Sequence, residues 1–75
     1  MNRIISINIK GMVFQIEEDA FEVLKNYLDR LKFHFRNTEG SNEILDDIEY
    51  RLAEVLSEKT KTKASISMSD VEEVI

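Results

Sequence analysis

The chain predicts an α+β fold, a two-layer sandwich in the order ββααβα. An N-terminal β-hairpin plus a short third strand is covered on one face by two antiparallel helices. Three features carry this expectation. Apolar and polar residues alternate on both sides of Lys10-Gly11, two later segments repeat apolar residues every three or four positions, and a brief alternation returns near the end.

In the hairpin, Ile5, Ile7 and Ile9 alternate with Ser6 and Asn8, and Met12, Phe14 and Ile16 alternate with Val13 and Gln15. With Lys10 and Gly11 as the loop, Ile9 faces Met12, Ile7 faces Phe14 and Ile5 faces Ile16. All six apolar side chains then share one face. Ile4 and Val13 fall on the other, more solvated face. Lys10 is an unusual residue for a tight turn that needs positive φ, which leaves a bulged or longer turn open as an alternative.

A first helix is expected from about Asp19, which can cap it with Glu22 three residues on. Ala20, Leu24, Tyr27, Leu28, Leu31 and Phe35 form its apolar stripe, bordered by Phe21, while Phe33 faces away. Asn37-Thr38-Glu39-Gly40 ends it. A second helix opens at Ser41, carries Ile44, Leu45, Ile48, Leu52, Val55 and Leu56 inward, and closes near Lys59. Acidic residues sit at the start of each helix and basic residues near its end, as the helix dipole favours. Ala64, Ile66 and Met68 suggest the third strand. Ser69-Asp70-Val71-Glu72 then reads as a capping box for a last helix, which runs to Ile75 with no stop signal. This suggests a single domain over residues 1–75 that is an N-terminal fragment of a longer protein.

Composition narrows the chemistry. With no cysteine, neither a disulfide scaffold nor thiolate chemistry can be built. Lys and Arg number 10 against 15 Asp and Glu, so the net charge of −5 opposes wholesale binding to nucleic acid. At 75 residues the stability expected is about 4–11 kcal/mol, a thin margin for strained catalytic groups.

The candidate sites are few. Glu43, Asp46, Asp47 and Glu49 form the densest acidic group, but their spacing suits a solvated helix start better than a calcium loop of six to eight ligands. His34 is the single imidazole and has no cysteine or second histidine to share a zinc ion. Gly11 and Gly40 are the only glycines, too few for a phosphate-cradling loop. No catalytic, cofactor-binding or metal-binding residues are therefore expected, and no enzyme activity. Lys25, Arg30, Lys32 and Arg36 are possible nucleic-acid contacts if they share one exposed stripe; Lys59, Lys61 and Lys63 form a second basic group. Ile4, Val13, Phe33, Val71, Val74 and Ile75 are apolar residues in excess of a small core and form a possible interaction surface.

Residues Ile5 to Phe21, together with Leu24-Lys25-Asn26-Tyr27-Leu28, His34-Phe35, Asn37-Thr38-Glu39-Gly40, Asp47-Ile48-Glu49 and Met68 to Ile75, carry a resemblance. This pattern resembles the N-terminal region of Bacteroidetes-type proteins with a phage shock protein C (PspC) domain. Lys10 departs from it, since a second glycine is common there. The resemblance implies a longer parent protein in the inner membrane, with membrane-spanning segments beyond Ile75, and a stress-responsive regulator linked to envelope stress. It carries over no functional residues. The expected role is a non-enzymatic protein-interaction or oligomerisation module on the cytoplasmic side, working through a sheet edge or an exposed apolar strip. The alternative is a nucleic-acid-contacting regulator using the basic residues of the first helix. Membrane contact is expected only through segments outside these residues.

Overall fold

The structure, a computed structural model, describes residues 3–75. Strands β1 (Ile4–Ile9) and β2 (Met12–Glu17) form an antiparallel hairpin in the expected register, with Ile5 opposite Ile16, Ile7 opposite Phe14 and Ile9 opposite Met12. The turn is the tight two-residue kind: Lys10 has φ +52° and Gly11 φ +81°. A lysine in this region costs about 1–2 kcal/mol relative to extended backbone. Local contacts offset the cost. The Asn8 Oδ1 accepts from the Gly11 N–H at 3.0 Å, and the Lys10 ammonium reaches Asp46 and, at 3.7 Å, Glu49.

Helices α1 (Glu18–His34), α2 (Ser41–Lys59) and α3 (Met68–Val74) follow. Ile9, Phe14 and Ile16 pack with Ala20 and Leu24 of α1, Leu52, Ala53 and Leu56 of α2, Val71 of α3, and Ile66 from the connector. The strands of six residues reach about 20 Å, whereas the 19 residues of α2 reach about 28 Å. The helix ends nearest the α1–α2 loop therefore overhang the sheet, and Phe33 and Ile44 stay exposed there, while Tyr50 is exposed in the middle of α2.

Four local expectations change. The third strand contracts to one parallel bridge, Ile16 to Ile66, in which the Ile66 N–H donates to Gln15 at 2.8 Å and the Glu17 N–H donates to Ile66 at 3.0 Å. The chain then turns directly into α3. Helix α1 starts at Glu18 without a side-chain cap; Asp19 instead accepts from the Ala20 N–H at 2.9 Å. The capping box of α3 lies two residues earlier than the sequence suggests, between Ser67 and Asp70, because Ser67 is the first residue free of the bridge. On α2, Ala53 lies inward and Val55 is 42% exposed. At 100° per residue, Leu52, Ala53 and Leu56 subtend one arc and Val55 falls on its flank.

Helix α3 packs against both α1 and α2, and its seat is electrostatic as well as apolar. Asp70 is nearly buried, yet its carboxylate accepts from the Ser67 N–H at 2.9 Å and from the Lys63 ammonium, with Lys59 at 3.9 Å. Burial pushes its pKa up, but the hydrogen bonds from Lys63 and Ser67 outweigh it and hold the carboxyl below the usual carboxylate range. Glu73 also pairs with Lys59 and, through that hydrogen bond, raises the ammonium's pKa above its usual value.

Two outcomes follow from these contacts. No atom lies within 4 Å of a Cβ built at Gly11, so Gly11→Ala carries only the conformational cost of positive φ. Urea unfolding should show a loss of about 1–2 kcal/mol. Asp70 has a lowered folded pKa, so its stabilisation is complete above the unfolded value of about 4 and is lost as pH falls through the folded value. Asp70→Ala should cost about 1–2 kcal/mol near neutral pH. The gap from wild type should narrow in melts as the pH is taken below the usual carboxylate range and through the lowered folded value; a gap independent of pH would overturn this account of the α3 cap.

Candidate interaction surface

The residues with catalytic or metal-binding potential are occupied with one another or stand apart. Asp46 and Glu49 hold Lys10, and Asp47 lies 3.8 Å from Arg51. His34 is exposed, its ring edge-on to Phe35 at 4.8 Å. Among the described residues no three of His, Asp and Glu gather in a way that could hold a metal ion. Nor is any described helix long and apolar enough to cross a membrane.

The basic residues divide into two kinds. Lys59 and Lys63 clamp α3 through Asp70 and Glu73, and Lys61 lies 3.0 Å from Glu58, so the lysines at and after the end of α2 are engaged within the fold. Arg3, Lys10 and Arg51 are likewise paired. By contrast, Lys25, Arg30, Lys32 and Arg36 are exposed and meet no carboxylate within 4 Å among the described residues. They do not share one stripe. Lys32 is within about 20° of Lys25 around the helix, whereas Arg30 is about 140° away. Arg36 lies past the helix end, its guanidinium 3.9 Å above the Phe33 ring and donating to the Phe33 carbonyl at 2.7 Å. This dispersal removes the single cationic track that a phosphate backbone would need.

The six apolar residues expected to form a surface are also dispersed. Val71 is fully buried and belongs to the core, because α3 turns it inward between the other helices; as an interaction residue it is corrected. Val74 is half-buried and packs against the same core. Ile4 and Val13 do lie on the open sheet face, but at opposite ends of it, separated by Ser6 and Gln15, whose side chains are joined by a 2.8 Å hydrogen bond. Phe33 lies under Arg36 on the overhang, and Ile75 ends the chain past α3.

A different surface is continuous. A two-residue turn makes Ile9 and Met12 exchange both backbone hydrogen bonds, so Ile5, Ile7 and Ile9 bond to β2. The N–H and C=O groups of Ser6 and Asn8 therefore point away from the hairpin, and no backbone or side-chain partner meets them among the described residues. The corresponding edge of β2 is closed at Gln15 and Glu17 by Ile66. Alongside the open edge runs a groove of about 400 Å³. Ile7 and Ile9 form one wall and Phe21, Leu24 and Leu28 of α1 the other, with Lys25, Asp29 and Lys32 on the α1 rim. Alternation in the sequence locates the strand and the inward face. It does not reveal that α1 stands off the β1 edge, since that depends on where α3 and Ile66 pack.

A second depression, lined by Tyr27, Ile48, Leu52, Val55 and Val74 with Arg51, lies where the three helices meet. It has no free main-chain groups to direct a ligand. No protein-family model matches the chain, and comparison with curated proteins and with solved structures finds no match to either.

Proposed function

We propose that this domain is a protein-interaction module that takes up an extended segment of another protein along the outer edge of β1. One observation carries the reading: a strand edge with unpartnered main-chain groups at Ser6 and Asn8 runs into an apolar groove lined on the strand side by Ile7, Asn8 and Ile9. Main-chain pairing to such an edge supplies affinity, and pockets for alternate side chains supply selectivity. Strand β1, Ile-Ile-Ser-Ile-Asn-Ile, contains no proline and no charge, the features by which soluble proteins usually guard an exposed edge. Ile5 and Ile7 are only partly buried, whereas their partners Ile16 and Phe14 are core residues. An added strand would complete the burial of both.

The resemblance to PspC-domain proteins implies a place for the module on the cytoplasmic side of a membrane-anchored stress-responsive regulator, where such capture would link the parent to a partner. The dispersal of Lys25, Arg30, Lys32 and Arg36 disfavours the nucleic-acid alternative.

Ser6→Pro tests the edge. The Ser6 N–H makes no bond inside the hairpin, so proline there should leave folding within about 1 kcal/mol of wild type while blocking strand addition. Peptides selected from a random displayed library on the wild-type domain should alternate apolar and polar residues and lose binding to Ser6→Pro. Equal binding by the folded variant would overturn the proposal.

A further inference from the structure

The open edge and groove specify main-chain pairing; the charges around them specify the partner. In a chain of net charge −5, Lys25 and Lys32 stand on the groove rim with no ion-pair partner among the described residues. Asp29 lies between them on the same rim and pairs with neither within 4 Å, so the rim carries two cations against one carboxylate. Seven residues apart on a helix, the two lysines are about 10.5 Å apart along its axis, roughly the length of three extended residues.

We infer that the partner is an extended segment with apolar residues at alternate positions, bracketed by carboxylates that reach Lys25 and Lys32. The inference rests on the strand-addition reading and adds the chemistry of the occupant. A second copy of this chain fits less well. Two-fold pairing of two β1 edges would set the Lys25 and Lys32 rim of each copy beside the same junction, like charge near like charge, and the segment added to each groove would be the uncharged Ile4–Ile9, which carries no carboxylate for either lysine. A lone acidic strand avoids that mismatch.

The experiment uses synthetic peptides with a common alternating valine–threonine centre, flanked by glutamate, glutamine or lysine, titrated into the 15N-labelled domain at low salt. Two readouts are followed: protection of the Ser6 and Asn8 amides from exchange, and the dissociation constant. The glutamate-flanked peptide should protect both amides and bind about five- to tenfold more tightly than the glutamine-flanked one. The preference should fall to within about twofold in Lys25→Gln/Lys32→Gln, whose exposed positions leave the fold intact. Amide protection that is indifferent to flanking charge would overturn the acidic partner while leaving strand addition standing. If no peptide protects Ser6 and Asn8, strand addition itself fails. Protection that grows with protein concentration alone, together with a dimeric mass in sedimentation, would overturn the proposal in favour of a second copy.

Discussion

The fold depends on a parity fixed at one turn. Two residues with positive φ, Lys10 and Gly11, set Ile9 opposite Met12, and every later assignment follows from that register. The side-chain period of a strand is two, so a one-residue slip would turn Phe14 and Ile16 outward and leave the helices without an apolar floor. The same parity governs the backbone. Placing Ile5, Ile7 and Ile9 in the hydrogen-bonded positions leaves Ser6 and Asn8 to direct their main-chain groups outward. One constraint thus determines both what is buried and what remains available for pairing. Lys10 is an odd choice by local preference, but it reaches Asp46 and Glu49 and so ties the turn to α2, which a second glycine could not do.

Local pattern in the sequence was enough for the elements governed by local physics. Strict alternation gave both strands and the inward face, and the three-and-four spacing gave α1 and α2 with Phe33 outside. What depended on partners distant in the chain was not legible. Ala64, Ile66 and Met68 alternate like a strand, but only Ile66 finds backbone groups to bond, because β2 offers Gln15 and Glu17 and then ends in α1. Val71 counts, by sequence, among the apolar residues in excess of a small core. In the fold it is the apolar contact by which α3 is held between α1 and α2. The three-and-four spacing includes Val55 in the stripe of α2 and leaves out Ala53, whereas the arc that faces the core holds Leu52, Ala53 and Leu56 and leaves Val55 on its flank.

Charge follows a similar division. The lysines at and after the end of α2 resemble a cationic patch in the sequence, yet Lys59 and Lys63 are tied to Asp70 beside the N-terminus of α3, and that arrangement holds a helix of two turns that could not stand alone. The cations of α1 have no such task. Those near its end suit the helix dipole, which accounts for Lys32 and Arg36 without any ligand. Lys25 is mid-helix, so the dipole does not explain it. It stands on the rim of the groove beside β1.

The two edges of the hairpin make the final argument, because they belong to the same sheet and are treated differently. On the β2 side the connector delivers Ile66, bonds Gln15 and Glu17, and buries its own side chain completely. On the β1 side nothing among the described residues pairs with the main-chain groups of Ser6 or Asn8, and no charge or proline protects the strand. A small domain with a thin stability margin gains from each strand it adds, so an edge left open in so short a chain is a cost to folding. The helix that could have covered it stands off by the width of a groove and lines that groove with Phe21, Leu24 and Leu28. Two-sided exposure of main chain and apolar side chains is unfavourable in water and favourable against an incoming strand. The two edges of one hairpin thus differ in what a further strand would gain by pairing with them.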